Sequence, residues 1–463
     1  MSIEWDRLRS FDGSVQHAFE ELCAQLVSNE KFPSDSTFVR NGLPDGGVEF
    51  YWTLPDGKEY GWQVKYFTNL NDSHRFSQID RSVKDSIRNH PNLISYTVCL
   101  AMDLPDAKVK NKKSAKEKWD GYVIKWNKIA QENGKSIEFR YWGDHQIWKR
   151  LSAEENRGRH YFWFNKDFFS NEWYKKSIEV SRANVGPRYS SEYNVDLPII
   201  KYFNGLGRTN DFFKEFTPLF NNIQRAYNYL DLKKIEEIIG TSEPVIDQDI
   251  EELERIHGKI LKHQLGFIDF NSINVLCSTI QVILTDWNNN IKQKIRDEKR
   301  DWIEQNRDKD KLYSHLQNYE DPYSKLLQLN QELSNLKEFA LGNAGRSANI
   351  PLLLITGNAG NGKTHLLCDV AVRRIGTDLP TILLLGSHFR DDEPWNQIIK
   401  HLGLNCNRDE FLGALNTTAE IAKSKCLIFI DALNEGDGKK LWRKYLAGMI
   451  ETLKNYPPVW ELF

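Results

Sequence analysis

Residues 352–372 read Leu-Leu-Leu-Ile-Thr-Gly-Asn-Ala-Gly-Asn-Gly-Lys-Thr-His-Leu-Leu-Cys-Asp-Val-Ala-Val. Within them Gly357-Asn358-Ala359-Gly360-Asn361-Gly362-Lys363-Thr364 fits G-x-x-x-x-G-K-[ST] at every fixed position. The apolar run 352–355 predicts a strand before the motif, and 365–372 predicts a helix after it. The glycines let the backbone curl so that amide N–H groups point at phosphate oxygens, and the helix adds the positive end of its dipole. Lys363 is then placed to reach the β- and γ-phosphates of a nucleotide, and the Thr364 hydroxyl to ligate Mg²⁺. The cofactors this motif implies are ATP and Mg²⁺.

A second motif lies downstream, in Cys426-Leu427-Ile428-Phe429-Ile430-Asp431. An apolar strand ending in Asp is the other half of a phosphate-loop site, with Asp431 holding Mg²⁺ directly or through water. Read alone, Asp431 is equally a helix cap at a strand end; the upstream loop decides between the two. Glu435, four residues on, can polarise the attacking water. Around these motifs the chain reads as βα units, with strands at 351–356, Thr381–Leu385 and 426–430 and a helix at 363–374. The closing residues, Pro457-Pro458-Val459-Trp460-Glu461-Leu462-Phe463, read as the approach to another strand of the same sheet, and the chain as the N-terminal part of a longer protein.

Asp431-Ala432-Leu433-Asn434-Glu435 resembles the second motif of the STAND class of P-loop NTPases, close to its NACHT-like branch. The resemblance rests on 357–364 and 431–435 and covers roughly 346–463. It implies a signalling switch that binds ATP, oligomerises and activates a fused effector. The arginine sensor, winged-helix region and C-terminal repeats of that class would lie beyond residue 463.

The other informative stretch is near the N-terminus. Pro44-Asp45-Gly46-Gly47-Val48-Glu49 is followed by a Pro55-Asp56-Gly57 turn and by Gln63-Val64-Lys65. Two short runs about such a turn predict a β-hairpin, 48–54 with 60–67. On adjacent antiparallel strands Glu49 and Lys65 converge, and Gln63 and Lys65, two apart, share a face. A metal-dependent phosphodiesterase needs carboxylates to hold Mg²⁺ against a scissile phosphate, and a cation for the developing charge. The plain alternative is a half-buried hairpin with a solvated lysine. The pattern resembles the PD-(D/E)xK nuclease superfamily in its Mrr-like branch, where D-G-G-x-D and Q-x-K follow a helix carrying Phe-Glu. Phe19-Glu20, Asp45–Glu49 and Gln63–Lys65 match it, over about residues 10–105. Glu49 stands where the family has Asp, and Gln63 where the wider superfamily has a carboxylate. The resemblance implies Glu49 as metal ligand, Gln63 as a ligand through its carbonyl and Lys65 as catalytic cation, with Asp45 and Glu20 in support.

The rest of the 463 residues bounds these readings. Hydrophobic residues are 40%, charged residues 27%, and the net charge is −2, so neither a polybasic nor an acidic solvating protein fits. Residues 1–150 carry 22 Lys and Arg against 21 Asp and Glu, so any DNA groove there is local. Arg81, Lys84 and Arg88 at helical spacing, Arg75, and the lysines of 108–118 can contact phosphates or simply face solvent. No apolar run approaches the ~18–20 residues of a membrane span, and no secretion signal opens the chain. The six scattered Cys form no Cys-x-x-Cys pair, which argues for free thiols in a reducing cytoplasm.

Helical spacing at 15–28, 74–90 and 116–133, with strands at 94–102 and 136–142, predicts a small mixed sheet faced by helices. Residues 155–205 read as an irregular, packed linker. Residues 208–342 read as mostly helical, with Gly absent from 271 to 340 and one long solvated helix through the densely charged 291–312. The expected architecture is α/β multidomain: a restriction-endonuclease-like α/β/α domain (1–155), a linker and helical spacer (156–345), and a truncated P-loop NTPase domain (346–463). The expected function is an ATP-gated, Mg²⁺-dependent DNA endonuclease of prokaryotic antiviral defence. By the resemblance it would assemble as a homo-oligomer, a tetramer, when the missing C-terminal part senses a phage protein, and cut double-stranded DNA. The rivals are an ATP-dependent restriction or repair nuclease, and a non-catalytic DNA-binding or scaffold switch.

Overall fold

The computed structural model describes residues 3–42, 45–70, 73–106, 113–190, 192, 198–240, 246–456 and 459–462. They form two compact units, Met1–Ser170 with Cys406–Ala414, and Asn171–Asn405 with Leu415–Phe463. The first unit runs past residue 155, and the region 171–345 shares its unit with the phosphate loop.

The first unit opens with α1 (Val15–Ser28), β1 (Thr37–Arg40), β2 (Phe50–Thr53) and β3 (Glu59–Lys65). It continues through α2 (Ser73–Asn89), β4 (Leu93–Leu100), α3 (Ala115–Glu132), β5 (Glu138–Trp142), α4 (Asp144–Leu151) and α5 (Arg157–Phe164). The sheet order follows the chain, β1-β2-β3-β4-β5. β1, β2 and β3 pair antiparallel, and β3, β4 and β5 pair parallel, so the sheet is mixed. The expected hairpin is present, with Phe50 opposite Trp62 and Gly57 at φ +81° in the turn. β1 was not foreseen; it is four residues long.

Parallel strands need crossovers, and α2 and α3 supply them. Their apolar faces (Phe76, Val83 and Ile87; Trp119 and Trp126) cover Tyr96, Val98 and Leu100 of β4 in one core. α1 packs against β3 and buries Phe19, Leu22, Cys23, Leu26 and Val27, the residues its periodicity singles out. Trp52 donates its indole N–H to the Val27 carbonyl at 2.9 Å, which ties β2 to α1. Ser14 caps α1 by accepting from the amides of Gln16 and His17, and Ser114 with Glu117 forms a capping box on α3.

The second unit begins with helices: α6 (Asn171–Val185), α7 (Ile200–Gly207), α8 (Asn210–Asn228), α9 (Leu232–Ile239), α10 (Asp247–Lys262), α11 (Phe270–Glu304), α12 (Leu312–Leu341) and α13 (Asn343–Ala348). Then come β6 (Leu352–Leu353), α14 (Lys363–Gly376), β7 (Thr381–Leu385), α15 (Pro394–His401), α16 (Arg408–Ala422, whose residues up to Ala414 belong to the first unit), β8 (Cys426–Asp431), α17 (Gly438–Lys454) and β9 (Val459–Leu462). The four strands are parallel in the order β6-β9-β8-β7. β9 is the strand expected at 457–463, and it inserts between β6 and β8.

Three expectations are corrected. The strand before the phosphate loop pairs only at Leu352–Leu353 rather than over 351–356, and Leu354 beyond it is 58% exposed. The described residues of 155–205 are mostly helical rather than irregular: they carry α5, α6 and the start of α7, and α6 buries Tyr174, Ile178 and Val185 at helical spacing. The charged region is a helical hairpin, not one helix. α11 stops at Glu304, Asn306 takes φ +49°, and Asp308 caps the next turn before α12. Hydrogen bonds from Gln281 to Ser334 (2.8 Å) and Lys337 to Ser278 (2.9 Å), with His315 at 2.9 Å from Glu298, fix α11 and α12 antiparallel. Leu284 and Ile291 of α11 bury against Leu326, Leu329 and Leu333 of α12.

All six Cys are free, and five are buried. Among the described residues no helix is long and apolar enough to cross a membrane.

Candidate functional site

The phosphate loop lies between β6 and α14, at the carboxyl end of a parallel sheet, the position where open α/β sheets bind ligands. It lines a cavity of about 740 Å³ with Leu433, Asn434 and Glu435 from the turn after β8. Gly360 (φ +85°) and Gly362 (φ +76°) take left-handed conformations that L side chains rarely adopt, with nothing near where a Cβ would stand. Gly357, Ala359, Gly360, Asn361, Gly362, Lys363 and Thr364 all line the cavity; Asn358 does not. The Lys363 ammonium donates to the carbonyls of Gly357 (2.8 Å) and Asn358 (2.9 Å), so the loop folds over its own cation. The Thr364 hydroxyl donates to Asp431 Oδ2 at 2.8 Å. One hydroxyl and one carboxylate oxygen thus stand side by side, the donor pair that hard cations such as Mg²⁺ prefer.

The turn after β8 carries Ala432 at φ +57° and closes with the Glu435 amide donating to the Ala432 carbonyl (3.0 Å). It brings Glu435 to the cavity wall. There the carboxylate meets Arg188 at 3.6 Å, and both side chains are nearly half exposed. Sequence reading assigned Gly186-Pro187-Arg188-Tyr189 only to a linker. The Tyr189 ring packs on His365, next to Thr364, with centroids 5.0 Å apart.

The hairpin site is built by β2, β3 and the loop before β2. β3 registers Gln63 beside Val98 and Lys65 beside Leu100, which puts both on the face covered by α2 and α3. Trp62 points the other way, toward Trp142 and Phe32. The Gln63 amide N–H₂ donates to Glu49 Oε1 and, at 3.4 Å, to Asp45 Oδ2. Glu49 Oε2 accepts from the Val64 amide at 2.9 Å, and Lys65 Nζ stands 3.8 Å from Glu49 Oε1. Asp45 Oδ1 accepts from the Gly47 amide (3.0 Å). Gly47 itself (φ +91°) lies so close to α2 that a Cβ would overlap the Ser82 carbonyl. The buried Tyr96 hydroxyl donates to the Gly47 carbonyl at 2.7 Å and anchors the loop to β4.

Burial pushes the Glu49 carboxyl up to about 8; the Lys65 ammonium and the Val64 amide pull it down, while Glu20 and Asp45 push it further up. Glu20 is thus near enough to act on Glu49, although its own ion-pair partner is Arg40 (3.4 Å), which also binds Glu21. Buried Gln63 Oε1 has no hydrogen-bond partner. A half-turn of the Gln63 amide would set this oxygen beside Glu49 and Asp45, where a cation would relieve both the carboxylate repulsion and the orphaned acceptor, so the donor types fit a hard metal. Among the described residues no three His, Cys, Asp or Glu side chains are grouped to hold a metal ion. The set here is two carboxylates and an amide.

Of the cations that sequence suggested for DNA contact, Lys84 pairs with Asp80 (2.7 Å) and Arg88 with Asp85 (3.6 Å). Arg75 donates to the Asn69 carbonyl at 2.6 Å. Lys108, Lys110 and Lys112 lie outside the described residues. No protein-family model matches the chain, and no curated protein matches it at a significant level.

Proposed function

We propose that this protein is a Mg²⁺-dependent DNA endonuclease gated by a STAND-like, ATP-binding switch, of the kind that serves prokaryotic antiviral defence. The observation that carries the nuclease half is the convergence of Glu49, from the loop before β2, with Gln63 and Lys65 of β3, which sets a largely buried carboxylate beside an amide whose oxygen is unpartnered. Glu49, Asp45 and the Gln63 carbonyl would hold the Mg²⁺, with Glu20 in support. Bound there, the metal would polarise a phosphodiester and supply hydroxide near neutral pH. Lys65 would stabilise the charge that develops on the phosphate. For the switch half, Lys363 would leave the loop carbonyls for the nucleotide phosphates. Thr364 and Asp431 would hold its Mg²⁺, and Glu435 would orient the attacking water.

One such site cuts one strand. A double-strand break therefore needs two, which suits activation by homo-oligomerisation, a tetramer by the resemblance. A phage protein sensed by a further C-terminal region would be the trigger. The test is plasmid cleavage in Mg²⁺ by the concentrated protein beside Lys65→Ala. Cutting that Lys65→Ala abolishes, with the fold intact by circular dichroism, is the expected result. Cutting that survives the substitution removes the nuclease assignment. The Gln63 amide, standing beside Glu49 where a further carboxylate would bind metal more strongly, favours one rival, a DNA-binding switch that does not cut. That reading expects duplex binding without cleavage, even when residues 1–170 are clustered by a fused tetrameric coiled coil.

A further inference from the structure

Arg188 has no part in the roles assigned above, yet it sits on the wall of the cavity that the phosphate loop lines and pairs there with Glu435. Its two members come from far apart in the chain. Arg188 closes a short turn after α6, held by its Nε–H on the Val185 carbonyl (3.4 Å) and by Gly186 at φ +62°. Glu435 comes from the turn after β8. Arg182, on α6, lies 5.9 Å from the Tyr189 ring centroid, so a second arginine stands near this segment, while Arg188 lines the cavity itself. Arg182, Arg188 and Asp431 all act electrostatically on Cys368 of α14, which puts both arginines near the carboxyl ends of the strands.

A guanidinium here has two anionic claimants. One is Glu435, a single carboxylate at 3.6 Å. The other is a nucleotide phosphate entering the same cavity, with more charge and the oxygen geometry a guanidinium fork matches best. While it pairs with the arginine, the Glu435 carboxylate is a weaker acceptor and base toward a water, because the guanidinium offsets its charge.

Resting on the reading of this cavity as a nucleotide site, we propose that the Arg188–Glu435 pair is a competitive gate. In the empty cavity Glu435 holds Arg188. The terminal phosphate of a nucleoside triphosphate takes Arg188 away and thereby frees Glu435 for the attacking water. The gate also reports occupancy to α6, because Arg188 is tied to the end of that helix. A diphosphate, lacking the terminal group, leaves the pair closed.

The test is a double-mutant cycle on the full chain, read as equilibrium binding of fluorescent AMP-PNP and ADP so that turnover plays no part. Both side chains are nearly half exposed, so neither substitution is expected to disturb the fold, and thermal melting checks this. Glu435→Gln removes the competitor and is expected to tighten AMP-PNP binding by up to about fivefold, the range for an exposed ion pair. Arg188→Gln is expected to weaken AMP-PNP binding and to erase the gain from Glu435→Gln. ADP binding is expected to move with neither. Additive effects of the two substitutions, or equal effects on ADP and AMP-PNP, overturn the gate. Failure of the nucleotide-site reading looks different: no binding of either nucleotide, or binding that Lys363→Ala leaves unchanged.

Discussion

Glu49 is a carboxyl group that folding makes reluctant to ionise. Its ordinary value is about 4.3, and burial raises it to about 8 against the opposing pull of Lys65. Between those values the folded chain binds more protons than the unfolded one, so this residue's contribution to stability falls as pH rises through the window, levelling above about 8. Glu49→Gln removes the penalty. It is expected to stabilise the first unit by roughly 1–2 kcal/mol at pH 8.5 and by much less at pH 5, read as urea midpoints at the two pH values. Millimolar Mg²⁺ is expected to stabilise the natural chain at pH 8.5 and not the Gln variant. A stability gain independent of pH would mean that Glu49 is not the strained group. The motif around Glu49 was legible because its residue types carry the chemistry. The shift was not, since it depends on burial and on Glu20 arriving from α1.

At the scale of elements, the loop before β2 is held by its contact with α2 and by the Tyr96 hydroxyl. Gly47→Ala places a methyl against the Ser82 carbonyl in a conformation alanine resists. The expected result is loss of about 2 kcal/mol or more, measured by denaturant titration, together with, on the proposed nuclease reading, loss of DNA cleavage as Asp45 and Glu49 move. Cleavage retained at the natural rate would detach the loop from the site. Periodicity served well for α1, whose buried face is the one its pattern predicts, and it placed α2, α3, β4 and β5 to within a residue or two at each end. It served poorly for 291–312, where dense charge of both signs hides a turn. The break there is conformational, a left-handed Asn306 and an Asp308 cap, and neither residue stands out in so polar a stretch.

Across the whole molecule, each unit has its own core, one centred on β4 under α2 and α3 and one on the α11–α12 hairpin and its neighbours. A ligand stabilises the part whose native state binds it. ATP with Mg²⁺ at about a hundred times its dissociation constant is therefore expected to stabilise the phosphate-loop unit by roughly 2.7 kcal/mol. Scanning calorimetry on the natural chain and on Lys363→Ala checks this. A shift of the same size in Lys363→Ala would place the nucleotide elsewhere.

By itself the sequence determined the phosphate loop, the Asp431 strand and the Glu49–Lys65 hairpin. Each is a run of neighbours in which glycines, a turn and strand alternation dictate local conformation, so order along the chain suffices. It also indicated a mixed sheet faced by helices, and a last strand joining the second sheet. Only the tertiary structure decided that this strand lies between β6 and β8, that Glu20 acts on Glu49, and that Arg188 reaches Glu435. Those placements come from closing long loops between segments, and the burial of distant apolar faces, not any local signal, selects which segments meet.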